Sequence, residues 1–205
     1  MSGRCVIISG GEFCPIEGLL PDDFIIACDR GYTYARRCGI VPDLVVSDFD
    51  SYEGPIDPGV PVDRFRSEKD DTDTMIAIRH AVEAGYDEVL LYCALGGRLD
   101  HLLANLQSLV FAQNHGVRAG IVSPDTWICT LRDGTLRLPR REGWSLSLFA
   151  AQDHCEGVSI TGAKYPLQDA VLTSGFPLGV SNEWADDAAT VSVRSGILLI
   201  VLSKL

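Results

Sequence analysis

Apolar residues along the chain follow two patterns, and the change between them falls near residue 124. Before that point, short β-branched runs alternate with segments in which apolar residues recur at helical spacing. The short runs predict strands at residues 5–9, 24–28, 44–46, 88–94 and 117–122. The other segments predict helices at residues 32–38, from an acidic run to about 84, and at 99–115. Alternating strands and helices indicate an α/β domain with a parallel sheet.

Beyond residue 124 the helical periodicity disappears, and short strand-like runs separated by turn signals take its place. These runs lie at residues 127–131, 135–138, 145–150, 158–161, 171–173, 190–193 and 197–202. Strands spaced in this way predict a β-sandwich. The expected fold is therefore α/β, with a parallel-sheet domain over residues 1–124 followed by an all-β sandwich domain over residues 125–205.

The composition is that of an ordinary globular chain, with 46% hydrophobic and 22% charged residues among 205. A formal net charge of −11 argues against a nucleic-acid or anionic-membrane partner, because both need a basic face. The longest apolar run near the C-terminus, at 197–202, is far shorter than the ~20 residues that span a bilayer. The seven cysteines show no zinc spacing and lie mostly in apolar runs, which predicts buried free thiols and a cytoplasmic location.

An acidic stretch at residues 67–74 opens directly into the second predicted helix. Its charged side chains are Glu68, Lys69, Asp70, Asp71 and Asp73. Capping and the helix dipole account for one or two acids at a helix start. Four acids repel one another unless a cation joins them, and Mg²⁺ is held by one or two carboxylates together with substrate phosphates. Taken alone, the acidic stretch can also be interpreted as a solvated helix start.

Further acidic residues follow two of the predicted strands. Asp29 comes at the end of the second strand, and Asp48 and Asp50 come directly after the third. In an open α/β sheet this carboxyl edge is where ligands bind. Each position alone is equally an Asp-rich turn. Together with the acidic stretch, they predict three acidic clusters on one edge of one sheet.

Gly96, Gly97 and Arg98 stand between a predicted strand and the long third helix. Free backbone N–H groups, the helix dipole and a guanidinium make this junction a candidate anion site. The G-x-G-x-x-G and P-loop motifs are absent from the sequence. The junction and the acidic clusters together predict a Mg²⁺-nucleotide site, which makes the N-terminal domain a nucleotide-binding domain.

Nucleophilic and histidine-based chemistry has little support in the sequence. G-x-S-x-G is absent, and the four histidines show no metal-binding spacing. His101 adjoins the Gly-Gly-Arg junction and could lie in the site, with a helix-surface or core histidine as an equal alternative.

Five motifs, in this order, resemble those of bacterial thiamine pyrophosphokinases. They are S-D-F-D-S at 47–51, E-K-D-D-T-D at 68–73, G-G-R-L-D-H at 96–101, K-Y-P-L at 164–167 and G-V-S-N-E at 179–183. The resemblance spans both predicted domains. It implies transfer of the pyrophosphoryl group of ATP to the hydroxyl of thiamine, yielding thiamine diphosphate and AMP. It also implies a homodimer with thiamine bound between the subunits.

The resemblance and the residue chemistry together give the acidic residues expected roles. Asp48, Asp50 and Asp73 are expected to bind Mg²⁺, which makes Asp73 a candidate catalytic residue. Thr72 is expected to position the acceptor or a phosphate, and Asp29 is a candidate substrate-binding residue.

Cationic and glycine residues are expected to contact the phosphates. Lys69 and Arg98 supply the positive charge, beside the backbone of Gly96 and Gly97. Attack on the β-phosphorus develops charge on phosphate oxygens, so positioning and electrostatic stabilisation should dominate the catalysis. Asp100 is expected to orient or deprotonate the attacking hydroxyl.

Thiamine carries a thiazolium cation, which suits an acidic protein. Trp184 is the candidate for a cation–π contact with that ring, worth ~0.5–2 kcal/mol, and a tryptophan in the sandwich core is the alternative. Ser181 and Asn182 are candidates for direct polar contacts to thiamine, although a β-turn uses the same residue types.

Two other functions stay open on the sequence alone. One is a pyrophosphokinase for another primary alcohol, such as a hydroxymethylpterin, and the motif around Ser181 favours thiamine over it. The other is a nucleotide- or thiamine-binding sensor without turnover, against which the full set of acidic motifs argues.

Overall fold

The computed structural model describes residues 3–47, 54–64 and 71–205. The chain divides into two compact units, Met1–Pro124 and Asp125–Leu205. Each unit has its own apolar core.

Parallel strands form the sheet of the N-terminal unit. They are β1 (Arg4–Ile8), β2 (Phe24–Cys28), β3 (Leu44–Ser47), β4 (Val62–Arg64), β5 (Glu88–Tyr92) and β6 (Arg118–Val122), in the spatial order β6-β5-β1-β2-β3-β4. Each neighbouring pair is parallel. Strands covered on both faces read as continuous apolar runs, which is why five of the six stand out in the sequence. The pattern assigned no strand to β4, which is three residues long with two charged members.

Three helices accompany this sheet within the part of the chain that the structure describes: α1 (Gly31–Arg37), α2 (Asp73–Glu83) and α3 (Leu99–Asn114). The apolar stripe of α2 is buried at Ala77, Ile78 and Ala81, as its helical spacing predicts. At Gly31, where α1 begins, an added Cβ would overlap the carbonyl oxygen of Ile8. The absence of a side chain therefore lets α1 start directly against the end of β1.

The C-terminal unit contains two antiparallel sheets. Its strands are β7 (Thr126–Arg132), β8 (Thr135–Pro139), β9 (Trp144–Ala150), β10 (His154–Thr161), β11 (Leu167–Thr173), β12 (Gly179–Asn182), β13 (Ala188–Ser192) and β14 (Ile197–Lys204). The strand orders are β12-β9-β14-β7 and β11-β10-β13-β8. Alternate residues such as Leu148, Ile160 and Ile200 bring both sheets into one core. The sequence pattern predicts no strand at β12. For these residues it indicates a ligand-contact motif or a turn.

All seven cysteines lie among the described residues as thiols rather than disulfides, and five of them are buried. Removal from water raises the pKa of Cys5 and of Cys129 to about 12, because burial disfavours the thiolate. Cys38 and Cys129 are half-buried rather than buried. Across the described residues, no helix is long and apolar enough to cross a membrane.

Candidate functional site

The carboxyl ends of β2 and β3 hold a buried carboxylate. Asp29 directly follows β2, is 7% exposed, and accepts a hydrogen bond from Ser47 Oγ at 2.9 Å. Its backbone N–H donates to Val46 O at 3.0 Å, and its φ of 48° lies in the left-handed region. A non-glycine residue held at positive φ costs energy and persists only where the surroundings fix it. Asp29 is therefore a fixed part of the sheet edge.

The first turn of α2 lies at the same edge. Thr72 caps the helix, with its Oγ1 accepting from Met75 N at 3.2 Å, and Asp73 is the first helical residue. Cys28 Sγ, at the end of β2, donates to the backbone oxygen of Asp73 at 3.5 Å. Cys28 directly precedes Asp29, so this contact brings Asp29 and Asp73 to the same edge of the sheet.

The Gly-Gly-Arg junction follows β5. Gly96 and Gly97 have φ values of 71° and 70°, which glycine adopts without steric cost. Arg98 and Asp100 form a bidentate ion pair across two residues, and both side chains are largely exposed. This pairing raises the pKa of Arg98 and lowers the pKa of Asp100, first through the hydrogen bond and then through the charges. Asp100 is therefore an ionised partner of Arg98 at neutral pH.

A second loop lies beside this junction and comes from the end of β1. The backbone N–H of Gly11 donates to Cys93 O at 2.8 Å, and that of Glu12 donates to Leu95 O at 2.8 Å. A Cβ on Gly96 would stand 2.5 Å from Glu12 Oε2. The backbone at the junction is thus held in place from β1, and a side chain at Gly96 would displace Glu12.

Several predicted site residues lie outside the described residues. They are Asp48, Asp50 and Lys69, together with Glu68 and Asp70 of the acidic stretch. Among the residues that are described, no group of three or more histidine, cysteine or acidic side chains is arranged to hold a metal ion. The described acids of the edge, Asp29 and Asp73, offer carboxylate oxygens, and the Cys28 thiol keeps its proton because burial raises its pKa. An oxygen-only donor set fits Mg²⁺.

Asp71 forms an ion pair with a residue of α2. Its carboxylate forms an ion pair with Arg79 at 3.2 Å, two turns along α2. This contact between Asp71 and α2 is partly exposed and therefore weak.

Four polar residues that contact the edge had no predicted role in the site. Ser9, Cys28, Ser47 and Thr74 each contact the edge through a hydrogen bond. Ser9, Cys28 and Ser47 end strands in the sequence, and that position was the available signal for them. Thr74 had no such signal, because its partner lies 65 residues away.

In the C-terminal unit, Asn182 holds the Lys164–Tyr165 segment in place. Its Oδ1 accepts from Tyr165 N at 3.0 Å and from Glu183 N at 2.9 Å, and its Nδ2 donates to Tyr165 O at 2.7 Å. Asn182 is 4% exposed. Lys164 and Glu183 add an ion pair at 2.8 Å between the same two segments. The side chain predicted to contact a ligand therefore has its amide engaged with the backbone.

Ser181 and Trp184 differ in their surroundings. Ser181 is exposed, has a φ of 58°, and donates its backbone N–H to Ser147 Oγ at 3.0 Å. Trp184 is 5% exposed, lies in the core, and donates from Nε1 to Leu138 O at 3.0 Å. Trp184 thus lies in the core, as its alternative interpretation expects, and Ser181 is an exposed polar residue of the motif.

Comparison with known proteins covers both units. The chain matches the family models described as "Thiamin pyrophosphokinase, catalytic domain" over residues 19–121 and "Thiamin pyrophosphokinase, vitamin B1 binding domain" over residues 134–198. The chain belongs to the thiamine pyrophosphokinase family. The family predicted from the ordered motifs is confirmed, and nothing in the comparisons favours the hydroxymethylpterin or sensor alternatives.

Relatives of full length support this assignment. The curated "Thiamine pyrophosphokinase" of Bacillus subtilis (strain 168) is 28% identical over 211 residues, covering 96% of this chain and 97% of that protein. Crystal structures of thiamine pyrophosphokinases from Bacillus subtilis and Geobacillus thermodenitrificans superpose with TM-scores of 0.88 and 0.83 at 25% and 28% identity. Each comparison covers 98% of this chain, and 99% and 98% of the respective relative. The chain is accordingly an enzyme of the thiamine pyrophosphokinase family.

Proposed function

We propose that this protein transfers the pyrophosphoryl group of ATP to the primary hydroxyl of thiamine, forming thiamine diphosphate and AMP. The observation that carries the proposal is the presence of both family domains, catalytic and vitamin B1 binding, in one chain. In this proposal the N-terminal unit is the ATP-binding catalytic domain. The C-terminal unit is a β-sandwich that binds thiamine.

Asp48, Asp50 and Asp73 would hold Mg²⁺, a role that the carboxylate chemistry of the edge supports. The ion would supply positive charge against the phosphate oxygens of ATP. Asp29 stays a candidate substrate-binding residue, since it directly follows β2 at the carboxyl edge, where ligands bind in such sheets. Thr72 would act mainly through the helix that it caps.

Lys69 and Arg98 would bind the phosphates, with the backbone of Gly96 and Gly97 alongside. Arg98 is paired with Asp100. When the guanidinium binds a phosphate, it would therefore either keep the Asp100 carboxylate as a second partner or release it. The lowered pKa of Asp100 makes it a weak base for an alcohol proton. Asp100 is therefore proposed to orient the hydroxyl, or to hold Arg98 ready for the phosphate, rather than to deprotonate the substrate.

For thiamine, Ser181 is the proposed direct contact and Asn182 the residue that shapes the surrounding loop. The buried ring of Trp184 speaks against a cation–π contact at that position within one chain. A homodimer with thiamine between the subunits, and a cytoplasmic location, complete the proposal. Free cysteines in both units accord with a reducing compartment.

The decisive experiment incubates purified protein with Mg²⁺, ATP and thiamine and identifies the products by phosphorus NMR and chromatography. We expect AMP and thiamine diphosphate in equal amounts. Release of ADP with thiamine monophosphate would refute pyrophosphoryl transfer, because the bond broken would then be between the β- and γ-phosphates. A panel that replaces thiamine by a hydroxymethylpterin tests the acceptor, and tight binding without AMP release would indicate a sensor.

A further inference from the structure

A buried pair of hydroxyls joins the first turn of α2 to the end of β1. Ser9 Oγ and Thr74 Oγ1 lie 3.0 Å apart, and both residues are buried. The backbone N–H of Ser9 donates to Tyr92 O at 2.9 Å, which fixes Ser9 to the end of β5. The hydroxyl pair therefore ties α2 to two central strands of the parallel sheet.

We propose that Thr74 is a positioning residue that sets the place of Asp73 at the sheet edge, with Ser9 as its partner. The inference rests on the proposed function, because Asp73 acts there as a ligand residue. Asp73 and Thr74 are consecutive residues in the first turn of the helix. A hydrogen bond is directional, so the pair fixes the rotation of this turn in a way that apolar packing of equal volume does not.

A contact from β2 holds the same turn at a second point. The Cys28 thiol donates to the backbone oxygen of Asp73 at 3.5 Å. The peptide between Asp73 and Thr74 is thereby anchored at its carbonyl by β2, and Thr74 is anchored at its side chain by the loop after β1. Two anchors from different strands define the orientation of Asp73 relative to the edge.

Stability alone does not call for a hydroxyl pair at this position. Buried hydroxyls are costly unless they are paired, and replacing both partners by apolar groups of similar shape is nearly neutral. Placement, in contrast, depends on the bond, since displacing a catalytic group by ~1 Å can lower the rate by about a hundredfold. The pair is therefore best explained by the position that it gives to Asp73.

The test compares Thr74→Val, which removes the hydroxyl, with Thr74→Ser, which keeps it. We expect Thr74→Val to lower kcat by about tenfold to a hundredfold, with a smaller change in KM for thiamine, and Thr74→Ser to restore most of it. The second readout is Mn²⁺ binding, measured by electron paramagnetic resonance in the presence of the α,β-methylene analogue of ATP. Affinity for Mn²⁺ should fall in Thr74→Val and recover in Thr74→Ser.

Ser9→Ala breaks the same bond from the other side and serves if Thr74→Val does not fold. The double variant Ser9→Ala/Thr74→Val should lower kcat no further than the single variants do, because both substitutions remove the same hydrogen bond. Ser108→Ala is the matched control, since this buried hydroxyl donates to Ala104 O within α3 and should leave kcat and Mn²⁺ affinity unchanged.

Variants that lose stability yet keep wild-type kcat and Mn²⁺ affinity would overturn the proposal. A wild-type protein that makes no thiamine diphosphate would instead refute the proposed function, and Mn²⁺ affinity would still decide whether the hydroxyl pair positions Asp73.

Discussion

Replacing Asn182 by alanine is expected to destabilise the C-terminal unit by about 2–3 kcal/mol. The substitution removes the three hydrogen bonds that join the buried amide to the backbone of Tyr165 and Glu183. A neutral hydrogen bond contributes ~1 kcal/mol net, so three give about 3 kcal/mol. Tyr165 is exposed, and water can satisfy part of its freed backbone, which places the expected loss toward the lower end.

Urea denaturation followed by tryptophan fluorescence measures this loss directly. All three tryptophans, at 127, 144 and 184, belong to the C-terminal unit, so the signal reports on that unit. Gln168→Ala is the control, because an exposed strand residue should change stability by less than ~0.5 kcal/mol. If Asn182→Ala were as mild as Gln168→Ala, the amide bonds would not hold the loop and the reasoning would be refuted.

Three further predictions concern the N-terminal unit. Asp73→Asn should leave the free energy of unfolding within ~0.5 kcal/mol and lower kcat by about tenfold or more; AMP release that is unaltered across a Mg²⁺ titration would remove Asp73 from the ligands. Gly31→Ala should destabilise the unit by ~1–3 kcal/mol, because the new methyl overlaps the carbonyl oxygen of Ile8; circular dichroism during urea unfolding measures it. Arg98→Ala should raise the pKa of Asp100 toward its ordinary value, because the guanidinium hydrogen bond that lowers it is lost; carbon NMR of the Asp100 carboxyl follows the titration.

The sign of the Asp100 effect follows from linkage. Folding lowers the pKa of the Asp100 carboxyl. Its ion pair with Arg98 is therefore fully formed at pH values above the pKa of a free aspartate. The pairing is lost as the pH falls through the lowered value. An identical titration in the wild type and in Arg98→Ala would mean that the ion pair does not form in solution.

For Gly31→Ala the control is Gly3→Ala, whose Cβ would make ordinary contacts of 3.8 Å.

Strands and helices of the N-terminal unit were predictable because their signals are local. A continuous apolar run such as β5 needs only its own residues to be recognised, and so does the apolar stripe of α2. Strands β4 and β12 lack such runs, because each is short and carries polar or charged residues. Their pairing with β3 and β9, rather than their own pattern, makes them strands.

The family was predictable from the sequence, but the contacts that support the candidate site were not. Acidic residues at strand ends indicate an edge, and the motif order identified the family. The hydrogen bonds of Thr74 to Ser9 and of Trp184 to Leu138 join residues 65 and 46 positions apart. Sequence patterns describe neighbours along the chain, so the burial of Trp184 and the engaged amide of Asn182 required the folded structure. The roles of Asp48, Asp50 and Lys69 stay predictions.

The buried free thiols have a practical consequence for measuring how the protein opens. A thiol that is shielded in the native state reacts with an alkylating reagent only when its surroundings open, so the labelling rate reports a local opening equilibrium. Cys5 and Cys28 lie in central strands of the N-terminal unit, and Cys155 lies in the core of the C-terminal unit. Pulsed alkylation with peptide mass analysis would therefore record the opening of each unit separately, in one sample and without an introduced probe.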